Sequence, residues 1–585
     1  MPDTGLPAKK RTLHLSGVRH NNLAQARGRI GFVIAFLICI YLIAGLRALD
    51  LSVMQSNIVN EFVQDTALYS VTSASDGSAK NYNYVSSRKD IFDRNGILLA
   101  RSVGVSSLYV DPALVLDATN TAKDLIDIFP DLTYGNVLKS LQSKRRFVWL
   151  KRNLTPNQQS KVLELGNPAL NFRREENRIY PQGAMASHLI GASGIDGQGL
   201  LGIERSFNRY LSDTQNQPLY LTLDSRIQHV AQRELQNAMD MHHAKGGAAI
   251  VMDVKSGELL AGASLPHFSP DHYQHATSSE KFNRMTMGVY ELGSTFKIFS
   301  TAAYLETHKN AMNHWFDARK SLEVGRFKIR DFHAEKRQLS LPEVFIHSSN
   351  IGSALMGQKI GSERLQAFYK DLGLMDKLSF EIPEVGAPLV PSPWREINTM
   401  TSAYGHGLAV SPLQLISAVS SVVNGGIQVT PTMIRAASNP TKTEHRILSE
   451  ETSHRMRQLL RLVVSEGTGG KADVPGFLMG GKTGTAEKPG KKGYDRDRLI
   501  SSFVGVFPID APRYAVYVML DEPKGIKETY GYATGGWVAA PVVAKITQNM
   551  TRIMGIDASL PKEKPFEHSL LGYVNYSKSN AGEPL

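Results

Sequence analysis

The longest unbroken apolar run lies near the start of the chain, where Ile30 to Leu46 reads IGFVIAFLICIYLIAGL, 17 residues without a charge. At about 1.5 Å per residue such a helix rises roughly 26 Å, the short end of what a ~30 Å hydrocarbon core requires. Arg47 can snorkel, which lets Ala48 to Leu51 extend the span. Lys9, Lys10, Arg11, Arg19, Arg27 and Arg29 precede the run against a single acid, Asp3. A cleaved signal peptide is the rival reading, but the basic segment is long for one and no small-x-small cleavage site follows Leu46. The pattern predicts an uncleaved transmembrane anchor over 30–50 with a basic cytoplasmic tail over 1–29. Basic flanks stay inside, so the chain beyond about residue 50 is expected on the outer side of the membrane.

Further along, the periods shorten. Glu291 to Leu305 (ELGSTFKIFSTAAYL) carries one apolar stripe at Ile298, Ala302 and Leu305 and another at Phe296, Phe299 and Ala303. Two stripes predict a helix buried in a core. Later the chain reads as a strand, LMGGKTGTAE, a basic turn, KPGKKG, a second strand over Ser501 to Pro508, and a third over Arg513 to Leu520. The polar stretch SASDGSAKNYNYVSS closes a stalk over 51–87, and the tail over 556–585, with Pro561, Pro565 and Pro584, is expected to be poorly ordered.

Composition adds little to this. Apolar residues make up 42% and charged residues 21% of 585 positions, the mix of globular material in two to four domains. A formal charge of +12 suits a nucleic-acid binder or a protein beside an anionic surface, and the predicted topology favours the second. The single cysteine, Cys39, sits inside the apolar run, so no intrachain disulfide can form and the outer domains must be held by packing.

One motif points the wrong way at first. Gly476 to Thr483 (GFLMGGKT) matches the phosphate-loop pattern G-x-x-x-x-G-K-[ST]. Such a loop needs a helix directly after it, yet Gly484, Pro489, Gly490 and Gly493 follow within ten residues, and the predicted outer location is poor in ATP. Lys482 and Thr483 are therefore expected on a strand. Upstream, Ser294 and Lys297 form S-x-x-K at a helix start, where a spacing of three puts both side chains on one face. Between the two lies Ser348-Ser349-Asn350. S-x-x-K, S-x-N and K-T-G in this order form the motif set of penicillin-binding proteins and serine β-lactamases.

With these motifs the chain resembles the class B penicillin-binding proteins, the monofunctional D,D-transpeptidases of bacterial wall synthesis, from the anchor to about residue 555. Arg88 to Ala100 (RKDIFDRNGILLA) and His188 to Leu211 (HLIGASGIDGQGLLGIERSFNRYL) resemble the boxes of the family's N-terminal pedestal. Leu221 to Met239 resembles the helix entering its catalytic domain, Gly246 to Pro266 that domain's first hairpin, Tyr404 to Leu415 the end of its central helical part, and Gly535 to Ile546 the start of its last helix. The triplet Ser-Ser-Asn resembles the cell-division type, whereas the elongation type more often carries Ser-x-Asp.

The resemblance implies an α+β penicillin-binding fold, an antiparallel sheet flanked by helices, over 240–555, on an elongated pedestal over 88–235 that resembles the family's dimerisation domain. It implies cross-linking of septal peptidoglycan stem peptides through a serine acyl-enzyme with release of D-alanine. Ser294 would be the nucleophile, Lys297 its base, Ser348 a proton relay, and Asn350 an orienting group; Lys482 would lower the basicity of Lys297 and, with Thr483, bind the substrate carboxylate. Gly484 would keep the strand edge clear, and the backbone N–H groups of Ser294 and Thr485 would form the oxyanion hole. A free lysine titrates near ~10.4, and bringing it to about 7 costs roughly 4 to 5 kcal/mol, which burial and a second ammonium can supply. Implied partners are the lipid-linked precursor, β-lactams as covalent inhibitors, and a membrane glycan polymerase of the FtsW type with other division proteins. No nucleic acid, metal or cofactor is implied, since His242, His243 and His347 lack metal-ligand spacing. Two alternatives stay open: an elongation-type transpeptidase, and a catalytically silent penicillin-binding scaffold of the division machinery. Arg88, Asp90, Asp93, Arg94 and Glu204 are expected as buried ion pairs of the pedestal, and Glu487 to Arg498 as a solvated turn.

Overall fold

A computed structural model describes residues 88–558, apart from Thr214, Arg326 and residues 436–444 and 491–492, and residues 565–573. The expected cytoplasmic tail, anchor and stalk lie outside the described residues. Among the described residues no helix is long and apolar enough to cross a membrane.

The N-terminal part is built on β1 (Ile91–Phe92), β2 (Leu98–Val110), β3 (Val148–Leu154), β4 (Leu170–Ile179) and β5 (Leu219–Tyr220). The strands run in the order β3-β2-β1-β5, with β4 also on β2; β1 and β5 are parallel and the other pairs antiparallel. Helices α1 (Ala118–Ile128) and α2 (Tyr134–Leu141) close a small core in which Leu108, Val110, Leu125, Phe129, Val137 and Leu154 are buried. Asp117 caps α1, accepting from the N–H groups of Thr119 and Asn120 at 3.0 Å each.

At the inner end of this part a carboxylate takes two cations. Glu204 is fully buried; its Oε2 accepts from Arg88 Nε at 2.7 Å and its Oε1 from Arg178 Nε at 2.7 Å. The other expected ion pairs differ. Asp93 is buried, makes no salt bridge among the described residues, and accepts instead from the N–H groups of Asn95, Ile97 and Ser225, tying β1 to the helix that follows β5. Asp90–Arg101 and Arg94–Glu258 lie in partly exposed positions, where such pairs contribute ~1 kcal/mol or less.

That helix, α3 (Ser225–His242), leads into β6 (Gly246–Asp253) and β7 (Leu259–Leu265). The second part is completed by α4 (Lys297–Thr307), α5 (Asn350–Ile360), α6 (Pro412–Val423), α7 (Glu450–Ser465), β8 (Gly480–Gly490), β9 (Gly493–Phe507), β10 (Tyr514–Asp521) and α8 (Ala540–Met554). The strands form one antiparallel sheet in the order β8-β9-β10-β6-β7. All eight residues of β6 and of β10 are buried, which explains their unbroken apolar reading: a central strand covered on both faces shows no alternation. One face packs Val516, Val518 and Leu520 against Ile227 and Leu235 of α3 and Val543, Ile546 and Met550 of α8. At the far edge the side-chain amide of Gln228 substitutes for a strand, donating to Gly262 O at 3.0 Å and accepting from Gly262 N at 2.7 Å.

Two expectations need correction. The segment after Glu487 is solvated as expected at Pro489, Gly490 and Gly493 to Asp497 but is more than a turn: β8 and β9 stay paired to Gly490 and Gly493, and Lys488, Arg498 and Lys245 converge on Glu522 at 2.9, 2.9 and 2.7 Å. Burial opposes the charge of Glu522, but the three cations outweigh it and hold its carboxyl at about 2. Residues 565–573, expected without order, pack back on α7: Leu570 is buried, Gln458 Nε2 donates to Phe566 O at 3.1 Å, and Tyr573 OH donates to Asn313 Oδ1 at 2.7 Å.

Candidate active site

The three motifs arrive from three elements. Gly293–Phe296 forms a single 3₁₀ turn that runs into α4, so Ser294 sits on the turn and Lys297 opens the helix one turn later. Gly293 has φ +54°, and a Cβ there would lie 2.5 Å from Thr485 O. Only glycine lets this turn lie against β8.

Lys297 is fully buried, and its Nζ meets Ser294 Oγ at 3.0 Å, Ser348 O at 2.5 Å, Ser348 Oγ at 3.0 Å and Asn350 Oδ1 at 2.7 Å. Ser348 is a non-glycine residue in the left-handed region, φ +59°. That backbone directs both its carbonyl and its hydroxyl at Lys297, a conformation that costs about 1 to 3 kcal/mol and persists where the surroundings impose it. Ser349 imposes it in part by capping α5 through Gly352 N at 3.0 Å. Asp331 imposes the rest, accepting from Ser349 Oγ at 2.8 Å and from Ile351 N at 2.9 Å. Asn350 Nδ2 donates to Arg330 O at 3.0 Å, which fixes the amide with Oδ1 toward Lys297.

From the second side Lys482 Nζ, also fully buried, meets Ser348 Oγ at 3.0 Å and lies 5.9 Å from the Phe345 ring centroid. Ser348 Oγ thus stands between two amines. Burial holds the Lys482 ammonium at about 7, and burial together with the charge of Lys482 holds Lys297 well below the usual lysine range, against a smaller opposing pull from Asp331. A neutral Lys297 matches its surroundings. Ser348 O and Asn350 Oδ1 can only accept and take its two N–H groups, leaving its lone pair for a hydroxyl proton from Ser294.

Thr483 Oγ1 lies 3.0 Å from Thr468 Oγ1, and Thr485 Oγ1 accepts from Gly535 N at 3.1 Å. The reason for Gly484 differs from the one expected. A Cβ there would meet Ser502 Oγ at 2.5 Å, Leu292 O at 2.7 Å and Thr295 Cγ2 at 2.9 Å, so the glycine lets β8 press against the serine turn. All eight sequence-predicted residues, Ser294, Lys297, Ser348, Asn350, Lys482, Thr483, Gly484 and Thr485, come together where the edge strand β8 packs on the serine turn. Sequence reasoning missed Asp331 and Thr468, which lie outside the motifs they touch, and a neighbouring cluster of Glu291, His406 and Tyr494, in which Glu291 stands just before the serine motif but meets partners more than 100 positions away. Among the described residues no group of three or more His, Cys, Asp or Glu could hold a metal ion.

Comparison with known proteins agrees with this geometry. The penicillin binding protein transpeptidase domain matches residues 247–548, and the penicillin-binding protein dimerisation domain matches residues 84–236. The chain is 38% identical over 503 residues, 84% of its length and 85% of the relative's, to the probable peptidoglycan D,D-transpeptidase FtsI of Caulobacter vibrioides. It is 30% identical over 509 residues to the peptidoglycan D,D-transpeptidase FtsI of Escherichia coli, covering 80% of this chain and 84% of that one. The crystal structure of penicillin binding protein 3 from Mycobacterium tuberculosis complexed with ampicillin superposes with a TM-score of 0.65 at 25% identity, over 82% of this chain and 98% of that one. With both domains matched in order and three motifs assembled at the edge of the sheet, the chain belongs to the class B penicillin-binding proteins.

Proposed function

We propose that this protein is a peptidoglycan D,D-transpeptidase of the cell-division type, anchored by residues 30–50 with its catalytic domain outside the cytoplasmic membrane. The observation that carries the reading is the chain Ser294 Oγ, Lys297 Nζ, Ser348 Oγ, Lys482 Nζ, with 3.0 Å at each step and both amines fully buried.

An extended stem peptide adds to the free edge of β8, as in strand addition, with its terminal carboxylate on Lys482 and Thr483. Ser294 gives its proton to neutral Lys297 as Oγ attacks the carbonyl of the penultimate D-alanine. The N–H groups of Ser294 and Thr485 hold the oxyanion, where loss of one donor typically costs about 3 to 4 kcal/mol. Collapse breaks the C–N bond, and the leaving D-alanine nitrogen takes the proton from Lys297 through Ser348. In the second half a neutral amine of another strand attacks the ester. A C–N bond forms, the C–Oγ bond breaks, and one amine proton returns to Ser294 through Lys297. A β-lactam enters the same first half, but its amine stays tethered and the ester persists. The lipid-linked precursor, an FtsW-type polymerase and other division proteins belong to this reading as partners.

Labelling with fluorescent penicillin tests the site. The wild type acquires one covalent label and Ser294→Ala none; a label that survives Ser294→Ala removes Ser294 from the nucleophile's place.

A further inference from the structure

The proposed transpeptidation brings a cation to the serine ester, because the acceptor is an amine that arrives as an ammonium. Glu291 stands three residues before Ser294, and its two oxygens are treated differently. Oε1 accepts from Gly407 N at 2.9 Å and from Tyr494 OH at 2.9 Å. Oε2 is buried and has no hydrogen-bond partner; its nearest cationic neighbour would be His406 Nδ1, at 3.7 Å. Burial holds His406 at about 4, with a smaller push from Lys297 when that lysine carries its proton, so the ring is neutral at neutral pH and offers Oε2 no counter-charge. The ring packs between Tyr404 and Tyr494, with centroids at 5.3 and 5.2 Å.

This cluster abuts the serine turn directly, since a Cβ on Gly405, next to His406, would lie 1.9 Å from Gly293 O. Glu487, two residues beyond Thr485 on β8, adds negative potential that reaches Tyr494. A purely structural Glu291 would account for Oε1, which pins the β8–β9 hairpin and the loop at Gly407. It does not account for Oε2, an oxygen buried without a partner on a carboxyl whose ionisation burial opposes.

We propose that Glu291, through Oε2 and framed by the His406 and Tyr494 rings, is the docking site for the acceptor ammonium in the second half of the reaction. The proposal rests on the transpeptidase reading above. An ammonium on Oε2 completes the ion pair. The amine then releases one proton to solvent before it attacks the Ser294 ester.

The substitution Glu291→Gln tests this, because the amide oxygen can keep both contacts of Oε1 while the charge is lost. Full-length protein would be acylated with a soluble thioester donor, and the acyl-enzyme partitioned at pH 7 between water, glycinamide, which is mostly cationic there, and hydroxylamine, which is mostly uncharged. Glu291→Gln is expected to raise the KM for glycinamide about tenfold with kcat changed less than threefold, and to leave transfer to hydroxylamine at the wild-type rate. Equal losses with both nucleophiles would show a structural role and overturn the dock, as would an unchanged glycinamide KM. A wild type that never forms the acyl-enzyme would overturn the transpeptidase reading itself, and the dock with it.

Discussion

Replacing Lys297 with alanine will slow acylation of Ser294 by penicillin about 10³- to 10⁴-fold, the upper range for loss of a positioned general base. Lys297→Arg will lose as much, although it preserves charge, because a guanidinium stays protonated at any working pH and cannot take the serine proton. An arginine that restored activity would mean that position 297 acts by charge alone. The wild-type pH profile follows from the same chemistry. Lys297 works when neutral, so acylation rises with pH up to the depressed value of Lys297 and falls about tenfold per unit below it. Lys482, held at about 7 by burial, loses its charge above that value, which weakens its grip on the substrate carboxylate and bends the profile down. Stopped-flow acylation between pH 5 and 10 reads both limbs; an acid limb with its midpoint near ~10.4, the value for free lysine, would exclude Lys297 as the base.

The same two amines set a sign for stability. Each titrates lower in the folded protein than in the unfolded chain, so between the two values the unfolded chain binds more protons and stability rises with pH. For Lys482 the fall from 10.5 to about 7 corresponds to about 5 kcal/mol of folding free energy, fully forfeited below neutrality and recovered as pH climbs toward the value in the unfolded chain. Lys297, lowered in the same direction, adds a cost of the same sign, and that cost keeps a lysine neutral beside Ser294.

The second large effect lies far from the chemistry. Glu204→Gln leaves Arg88 and Arg178 buried without their counter-charge and is expected to destabilise the N-terminal part by about 3 to 5 kcal/mol. Denaturant unfolding of the detergent-solubilised chain measures it, and penicillin labelling before denaturation shows whether the catalytic part persists. The control is Asp90→Asn, which breaks the Asp90–Arg101 pair, in which the arginine is 47% exposed; its cost should stay below ~1 kcal/mol. Equal costs for the two substitutions would contradict the distinction between buried and exposed pairs drawn here.

Much of this was legible in the sequence, and the reason is local. Ser294 and Lys297 lie one helical turn apart, Ser348 and Asn350 stand at a helix cap, and Lys482 to Thr485 read as a strand by exclusion of a helix; each signal fits within a few residues. The order of the motifs then joined them. What stayed hidden depended on chain segments far apart. Asp331 fixes the Ser348 turn from a loop without motif character, and Tyr494 reaches Glu291 across 203 positions. Glu522 collects Lys488 and Arg498 only because β8, β9 and β10 are neighbours, so a basic stretch that reads as a solvated turn becomes the clamp of a long hairpin. Gly484 was recognised by type, but its reason required the packing of β8 on Leu292 and Thr295.

The central claim is that Ser294 forms an acyl-enzyme with a stem peptide and passes it to a second strand. The most direct measurement supplies the full-length protein with lipid-linked precursor and a glycan polymerase, digests the product with a muramidase and reads the muropeptides by mass. The expected result is a cross-linked dimer lighter by one D-alanine than the sum of two intact pentapeptide monomers, absent with Ser294→Ala and abolished by prior penicillin. Monomers alone, from a wild type that labels fully with penicillin, would contradict the account and leave the protein as a penicillin-binding scaffold.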